Sequence, residues 1–398
     1  MNRGIRPRVY IGLIVFILAM ISLIFLGVLL QREYKMWGMA LTEIILLAWA
    51  IIPAIILKWD LKEVFPMQIP SWRQVFGSLV LWFGGYIAVI AVTTVIAYFF
   101  SEGMTDLSSA MTEFFSSVSF PVRFFILTVM PAVCEEALHR GFILHSFKNT
   151  GKWTAILSLG LIFGIFHLDF YRFAGTAILG LVFTYVMVET RNILLPMLLH
   201  FVNNSLSALS TLSETPVAEV VEMPLASVGI WLFIASAAPF LLLGGSRLLL
   251  SKEDRRTKPL AKRTWAIVII MSVALALAGV TITAAGGAEL LAGYLGEPVF
   301  EMSFSQDVDR DTPGRQQEFS VENAKTHIFL LSIEGEEGVS TQVTIVNNQT
   351  GAEVYAATAE EMTLQGSIYL AEGDYTVNVS YFTESQEPIP VGVSMLLK

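Results

Sequence analysis

The stretch Pro131-Ala-Val-Cys-Glu-Glu-Ala-Leu-His-Arg-Gly141 stands inside a long apolar run, with Phe124-Phe-Ile-Leu-Thr-Val-Met130 before it and Phe142-Ile-Leu144 after it. Two adjacent carboxylates and an arginine at membrane depth are costly, because hydrocarbon disfavours each charge by several kcal/mol. On a helix Glu136 and Arg140 are four apart, share a face and can pair. Glu135 lies about 100° round from Glu136 and need not be neutralised by the same arginine. The plain reading is a buried structural ion pair; the sharper one is a functional site.

Composition supports membrane depth. The chain has 398 residues, 54% hydrophobic and 15% charged, with a mean hydropathy of +0.64. That apolar share is above that of a soluble protein and the charge is below it, which predicts a polytopic membrane protein. The net charge of -9 is unevenly spread: residues 287–398 carry 18 Asp/Glu against 4 Lys/Arg, the preceding part 16 against 21. Two different solvents are implied. Cys134 is the single cysteine, so no intramolecular disulfide can form. Neither part has the basic balance of a nucleic-acid binder.

The fold expected is mainly α, with about eight to nine transmembrane helices and a C-terminal all-β sandwich. Candidate spans are about 10–30, 39–57, 75–100, 122–147, 153–168, 173–190, 193–212, 226–250 and 265–285. Arg3, Arg6 and Arg8 precede the first, which lacks an Ala-x-Ala cleavage site and reads as retained. With the N-terminus inside, fifteen basic residues fall in inner segments against about four outside. That asymmetry predicts a cytoplasmic N-terminus and an outer C-terminal domain. Residues 105–119, with Leu107, Met111, Phe114 and Phe115 on one side, read as an amphipathic surface helix or a tight outer loop.

From about residue 297 the period changes. Strands are expected at 327–333, 341–346, 353–355, 366–370, 375–381 and 391–396, separated by turn signals such as Asn347-Asn-Gln-Thr-Gly351. Six to eight strands in about 100 residues predict a small antiparallel sandwich. His327 is alone there, and the sequons at Asn348 and Asn378 are short chance patterns. The expected division is 1–110, N-terminal membrane helices; 111–215, the motif-bearing core; 216–290, C-terminal membrane helices; and 291–398, the extracytoplasmic sandwich.

Three membrane stretches hold nearly all the unusual polar residues: Glu135, Glu136 and Arg140; Phe163-Gly-Ile-Phe-His167, followed by Asp169; and His200-Phe-Val-Asn-Asn204. His200 and Asn204 share a helical face, and Asn203 is expected to face elsewhere. At about 1.5 Å per residue, Glu135, His167 and Asn204 lie at similar depths of about 20 Å from the nearest inner basic residues. A carboxylate beside imidazoles suits activation of water, directly or through a metal. Glu135, His167 and His200 could supply three ligands to a divalent metal such as zinc. Without metal, Glu135 and His167 could act as bases while His200 and Asn204 donate to an oxyanion. Pro131 and Pro196 precede motifs and could open the helical ladder to water. Gly164, Gly175 and Gly180 would let helices approach closely. Each histidine alone is more often an interhelical hydrogen-bonding residue. Cys134 reads as packing, and His139 and His145 as facing packing or the inner interface. The soluble metalloprotease pattern His-Glu-x-x-His is absent.

The ordered trio Glu-Glu-x-x-x-Arg at 135–140, Phe-x-x-x-His at 163–167 and His-x-x-x-Asn at 200–204 resembles the CAAX prenyl protease and bacteriocin-processing (CPBP, Abi) family of intramembrane endopeptidases. The segment from Gly180 through Glu189-Thr-Arg-Asn-Ile-Leu-Leu-Pro-Met197 is similar to that family's approach to its third motif. The resemblance covers about 120–212. It implies an eight-helix core around a water-filled cavity. Glu135 with His167 would activate water, His200 and Asn204 would stabilise the oxyanion, and Glu136 with Arg140 would hold the site in shape. It leaves metal use open, implies a protein or peptide substrate in the bilayer of a bacterial plasma membrane, and does not reach the sandwich, which could recruit substrate or an extracytoplasmic partner. The rivals are a non-catalytic scaffold or regulator that keeps the polar cluster, and an ion-coupled transporter, which inverted repeats would favour.

Overall fold

The computed structural model describes residues 5–100, 117–210, 223–257, 259–295, 298–335 and 338–398. The expected amphipathic segment at 105–119 lies, apart from 117–119, outside the described residues. The chain divides into two compact units, Met1–Ala97 with Asp106–Glu214 and Val228–Val280, and Tyr98–Thr105 with Thr215–Ser227 and Thr281–Lys398.

The first unit is helical, and this is an integral membrane protein. Among the described residues, five helical stretches are long and apolar enough to cross a membrane: Val9–Ile56, Trp72–Phe99, Phe170–Thr190, Leu225–Leu249 and Lys262–Ala288. Lys152–Phe166 and Leu194–Leu209 are apolar but shorter. Length and apolarity thus select five stretches where eight to nine spans were expected, for local reasons.

The expected spans 10–30 and 39–57 fall within one stretch, Val9–Ile56, broken at Lys35, whose φ is 49°. The chain doubles back there. Trp49 Nε1 donates to Ser22 Oγ at 3.0 Å, and Trp59 Nε1 donates to the carbonyl of Ile5 at 2.7 Å. Gly38 makes the return possible, since a Cβ there would stand 2.0 Å from the Leu30 carbonyl oxygen. The expected span 122–147 is helical from Phe120 to Ser146, with π-turns at Phe125–Val129 and Ala137–Ile143. Its own charged residues lower its apolarity. π-turns are rare and gather at functional sites.

Lys152–Phe166 and Phe170–Thr190 pack closely against each other. Gly180 sets the distance: a Cβ there would meet Phe163 Cβ at 2.9 Å and the Gly160 carbonyl oxygen at 3.1 Å. Gly164 faces Phe173 and Ala177 across the same seam, whereas Gly175 faces Val89 on Trp72–Phe99. Small residues bring backbones this close in membranes, where dispersion and hydrogen bonds replace the hydrophobic drive.

The second unit carries eight strands: β1 Phe300–Val308, β2 Arg315–Val321, β3 Lys325–Gly335, β4 Ser340–Asn347, β5 Glu353–Ala359, β6 Met362–Leu370, β7 Gly373–Phe382 and β8 Ile389–Leu397. They form two four-stranded sheets, in orders β1-β8-β3-β6 and β2-β7-β4-β5, with every pair antiparallel. Alternate residues of both, including Leu331, Ile333, Val393, Val343, Ile345 and Val377, enter one buried cluster. That is a sandwich core made by period-two patterning. The Asn347–Gly351 turn forms as its residues dictate: Asn347 Oδ1 accepts from the Gln349 and Thr350 amides at 3.0 Å each, and Gly351 takes φ 69°. The Lys262–Leu295 helix runs past residue 291, so the sandwich begins at β1.

Candidate active site

Glu136 and Arg140 are both buried, and Arg140 Nη1 donates to Glu136 Oε1 at 2.7 Å. The same oxygen accepts from His200 Nδ1 at 3.0 Å. Arg140 Nη2 donates to the Gly180 carbonyl at 3.1 Å, and its guanidinium lies 4.3 Å from the Phe163 ring centre and 5.3 Å from that of Phe183. A buried charge survives only when paired and hydrogen-bonded. Here one arginine ties the Phe120–Ser146 run to two other helices, while Glu136 fixes the third motif. Pairing within 135–140 was legible in the sequence; the link from Glu136 to His200 was not.

Lys152–Phe166 ends at His167, whose Nδ1 bonds the Phe163 carbonyl at 2.8 Å. A carbonyl only accepts, so Nδ1 carries the proton and Nε2 presents a lone pair. Leu168 then takes φ 51°, and Asp169 caps the next helix, accepting from the amides of Tyr171 at 2.9 Å and Arg172 at 3.1 Å. Asp169 therefore builds the turn that ends the helix at His167.

On Leu194–Ser210, Asn204 Nδ2 donates to the Leu127 carbonyl at 3.1 Å. Asn203 Nδ2 donates to Asn204 Oδ1 at 3.3 Å, and Trp82 Nε1 donates to Asn203 Oδ1 at 3.4 Å. Asn203 thus lines the same cavity as His200 and Asn204, where the sequence placed it on another face. Three residues turn a helix by about 300°, only some 60° short of a full circle from His200.

The three motifs converge. Glu135, His167, His200 and Asn204, with Asn203, line one cavity of about 240 Å³. Glu136 and Arg140 stand behind it. Glu135 Oε2 is buried without a hydrogen-bond partner among the described residues, which leaves an unsatisfied acceptor on a residue that lines the cavity. Pro131 also lines it. His139 is fully buried between the Phe163 and Phe166 rings, its Nδ1 bonded to the Glu135 carbonyl at 2.8 Å; His145 lies over Trp59, and Cys134 is buried. All three pack, as read from the sequence. Glu43, on the second leg of the N-terminal hairpin, was missed. It is 5% exposed and lines the same cavity. A lone carboxylate in Thr42-Glu43-Ile-Ile45 was the available signal.

Among the described residues no three His, Cys, Asp or Glu side chains stand close enough to hold a metal ion. The set Glu135, His167 and His200 does not fit a three-ligand site in this arrangement, and no step is drawn through a metal.

Residues 117–206 match the family model of Rce1-like proteins, the type II CAAX prenyl endopeptidases. All three motifs lie inside that match. This part of the chain is similar to the CAAX family of intramembrane proteases. The match to these CAAX proteases ends two residues beyond Asn204, so the sandwich lies outside it. No curated protein matches the chain. A CAAX protease hydrolyses peptide bonds, and its substrates are proteins or peptides at the membrane.

Proposed function

We propose that this CAAX-type protease cleaves membrane or membrane-associated proteins with a water activated by Glu135 and His167. The supporting observation is that Glu135, His167, His200 and Asn204, from three separate helices, line a single cavity. Among the described residues neither Glu135 Oε2 nor His167 Nε2 has a hydrogen-bond partner; water between them gives up a proton as it adds to the scissile carbonyl. Negative charge then grows on the carbonyl oxygen. Asn204 Nδ2 has a second hydrogen beyond the one given to Leu127, and it donates to that oxygen. His200 donates as well when Nε2 is protonated, with Glu136 as counter-ion to the imidazolium. Glu136 and Arg140 position and do not react.

Positive-inside charge supports a cytoplasmic N-terminus and an outer sandwich. The acidic sandwich recruits substrate or an envelope partner; deleting 298–398 while retaining full processing and partner association would remove that role. The cleavage proposal is tested by comparing membrane and secreted proteomes of cells making wild type, Glu135→Ala or His200→Ala. Proteins that stay uncleaved in both variants, with both variants abundant, support it. Identical proteomes with a phenotype still rescued by both variants favour a scaffold.

A further inference from the structure

Peptide hydrolysis needs a proton donor as well as a base, because the amine cannot leave as an anion. In the site described above, His167 has its proton on the nitrogen bonded to Phe163, so its cavity-facing nitrogen accepts rather than donates. Asn204 cannot supply a proton, and His200 in that reading keeps its proton in a hydrogen bond to the oxyanion. Glu43 stands on the opposite side of the sequence from the motifs, yet lines the same cavity as Glu135, His167 and His200. It is 5% exposed, and its Oε2, like Glu135 Oε2, is buried without a hydrogen bond among the described residues. Its neighbour Thr42 donates within its own helix, to the Gly38 carbonyl at 2.8 Å, and not to Glu43. The other titratable or cationic side chains lining the cavity are His167, His200 and Arg172.

We infer that Glu43 is a second catalytic carboxyl group, which shares one proton with Glu135 and delivers it to the leaving amine. This rests on the cleavage reading above. Two buried carboxyl groups lining one cavity cannot both ionise cheaply, so the resting pair holds one proton. With that proton on Glu43, Glu135 is the base. Water adds to the carbonyl carbon and its proton passes to Glu135. The C–N bond then breaks as the Glu43 proton moves to nitrogen, releasing a carboxylic acid and an amine. Transfer of the proton from Glu135 to Glu43 restores the resting pair, and one water is consumed. Environment alone separates acid from base in other carboxyl pairs.

The test uses the purified full-length protein in two measurements. Infrared spectroscopy at neutral pH reads a protonated buried carboxyl group with no substrate present. Wild type should show that band, and near-isosteric Glu43→Gln should lose it, since Glu135 alone no longer has a proton to share. A band absent from wild type, or unchanged in Glu43→Gln, overturns the proposal. Cleavage of a quenched-fluorescent farnesylated peptide reads the use of the proton. Glu43→Gln should lower kcat by about 100-fold or more, the scale of general acid catalysis, with KM unchanged and the alkaline fall of the pH profile lost; Glu43→Asp should recover part of the rate. A Glu43→Gln kcat equal to wild type overturns the proposal and makes Glu135 its own proton shuttle. If wild type leaves the peptide intact, that result bears on the cleavage reading, and the infrared band decides the carboxyl pair.

Discussion

His200 and Arg140 meet on a single oxygen: Glu136 Oε1 accepts from His200 Nδ1 at 3.0 Å and from Arg140 Nη1 at 2.7 Å. One buried carboxylate therefore aligns an imidazole 64 residues away and neutralises a guanidinium on its own helix. Removing Arg140 leaves Glu136 buried without its counter-charge. Arg140→Met should cost about 3–5 kcal/mol, the usual penalty for breaking a buried pair from one side. Thermal melting in detergent should drop and cleavage disappear. A variant as stable as wild type would contradict the assignment of Arg140 as the tie between helices.

His167 makes a different prediction, because among the described residues its Nε2 has no hydrogen-bond partner. His167→Gln should leave abundance and melting near wild type and lower kcat by about 100-fold or more, as for loss of a general base. Separate measurement of kcat and KM checks this. A rise in KM alone would assign His167 to substrate binding.

Gly180 tests packing. Its hydrogen faces Phe163 Cβ, and its carbonyl takes both Arg140 Nη2 at 3.1 Å and Thr184 Oγ1 at 2.7 Å. Gly180→Ala should destabilise by about 1–3 kcal/mol, the scale of overpacking, and Gly180→Leu should prevent accumulation of folded protein. Equal yields of all three would show that the two helices can separate without loss.

His327 gives a pH prediction for the sandwich. It is 1% exposed on β3, and burial, then the charge of Lys325, hold its pKa below the ordinary 6.5; a backbone contact to Lys398 acts the other way. Above that value the group is neutral folded or unfolded and adds no pH dependence. As pH falls below it, the unfolded chain takes up the proton first, so stability declines until the folded value is passed. Calorimetry of the intact protein between about pH 7.5 and about pH 5.5 should show the sandwich transition falling, and His327→Leu should flatten that fall. A transition indifferent to pH in wild type would place the ring in contact with water.

Much of this was legible in residues 131–141, 163–167 and 200–204. An ionisable group in an apolar run is expensive, and its price marks it. The strands β3 to β8 were legible from alternation and from Asn- and Gly-bearing turns. β2 was not: Arg315-Gln-Gln-Glu318 are all exposed, so it shows no alternation until Phe319. β1 was hidden by its polar Ser303, Ser305 and Gln306. Spans were harder to count, because Lys35 lets two legs join as one helical stretch and the motif helices are short. Within the site, spacing along one helix revealed Glu136 with Arg140, but links between helices, Glu136 to His200 and Glu43 to the cavity, depend on packing that no local pattern encodes.

The decisive comparison is between reconstituted wild type and Glu135→Gln, each incubated with the same membrane-protein extract, with new protein N-termini read by mass spectrometry. A hydrolytic cavity built around Glu135 should create a set of new termini with wild type that is missing with Glu135→Gln, although both proteins melt alike. The same termini in both samples, or none in either, would contradict it.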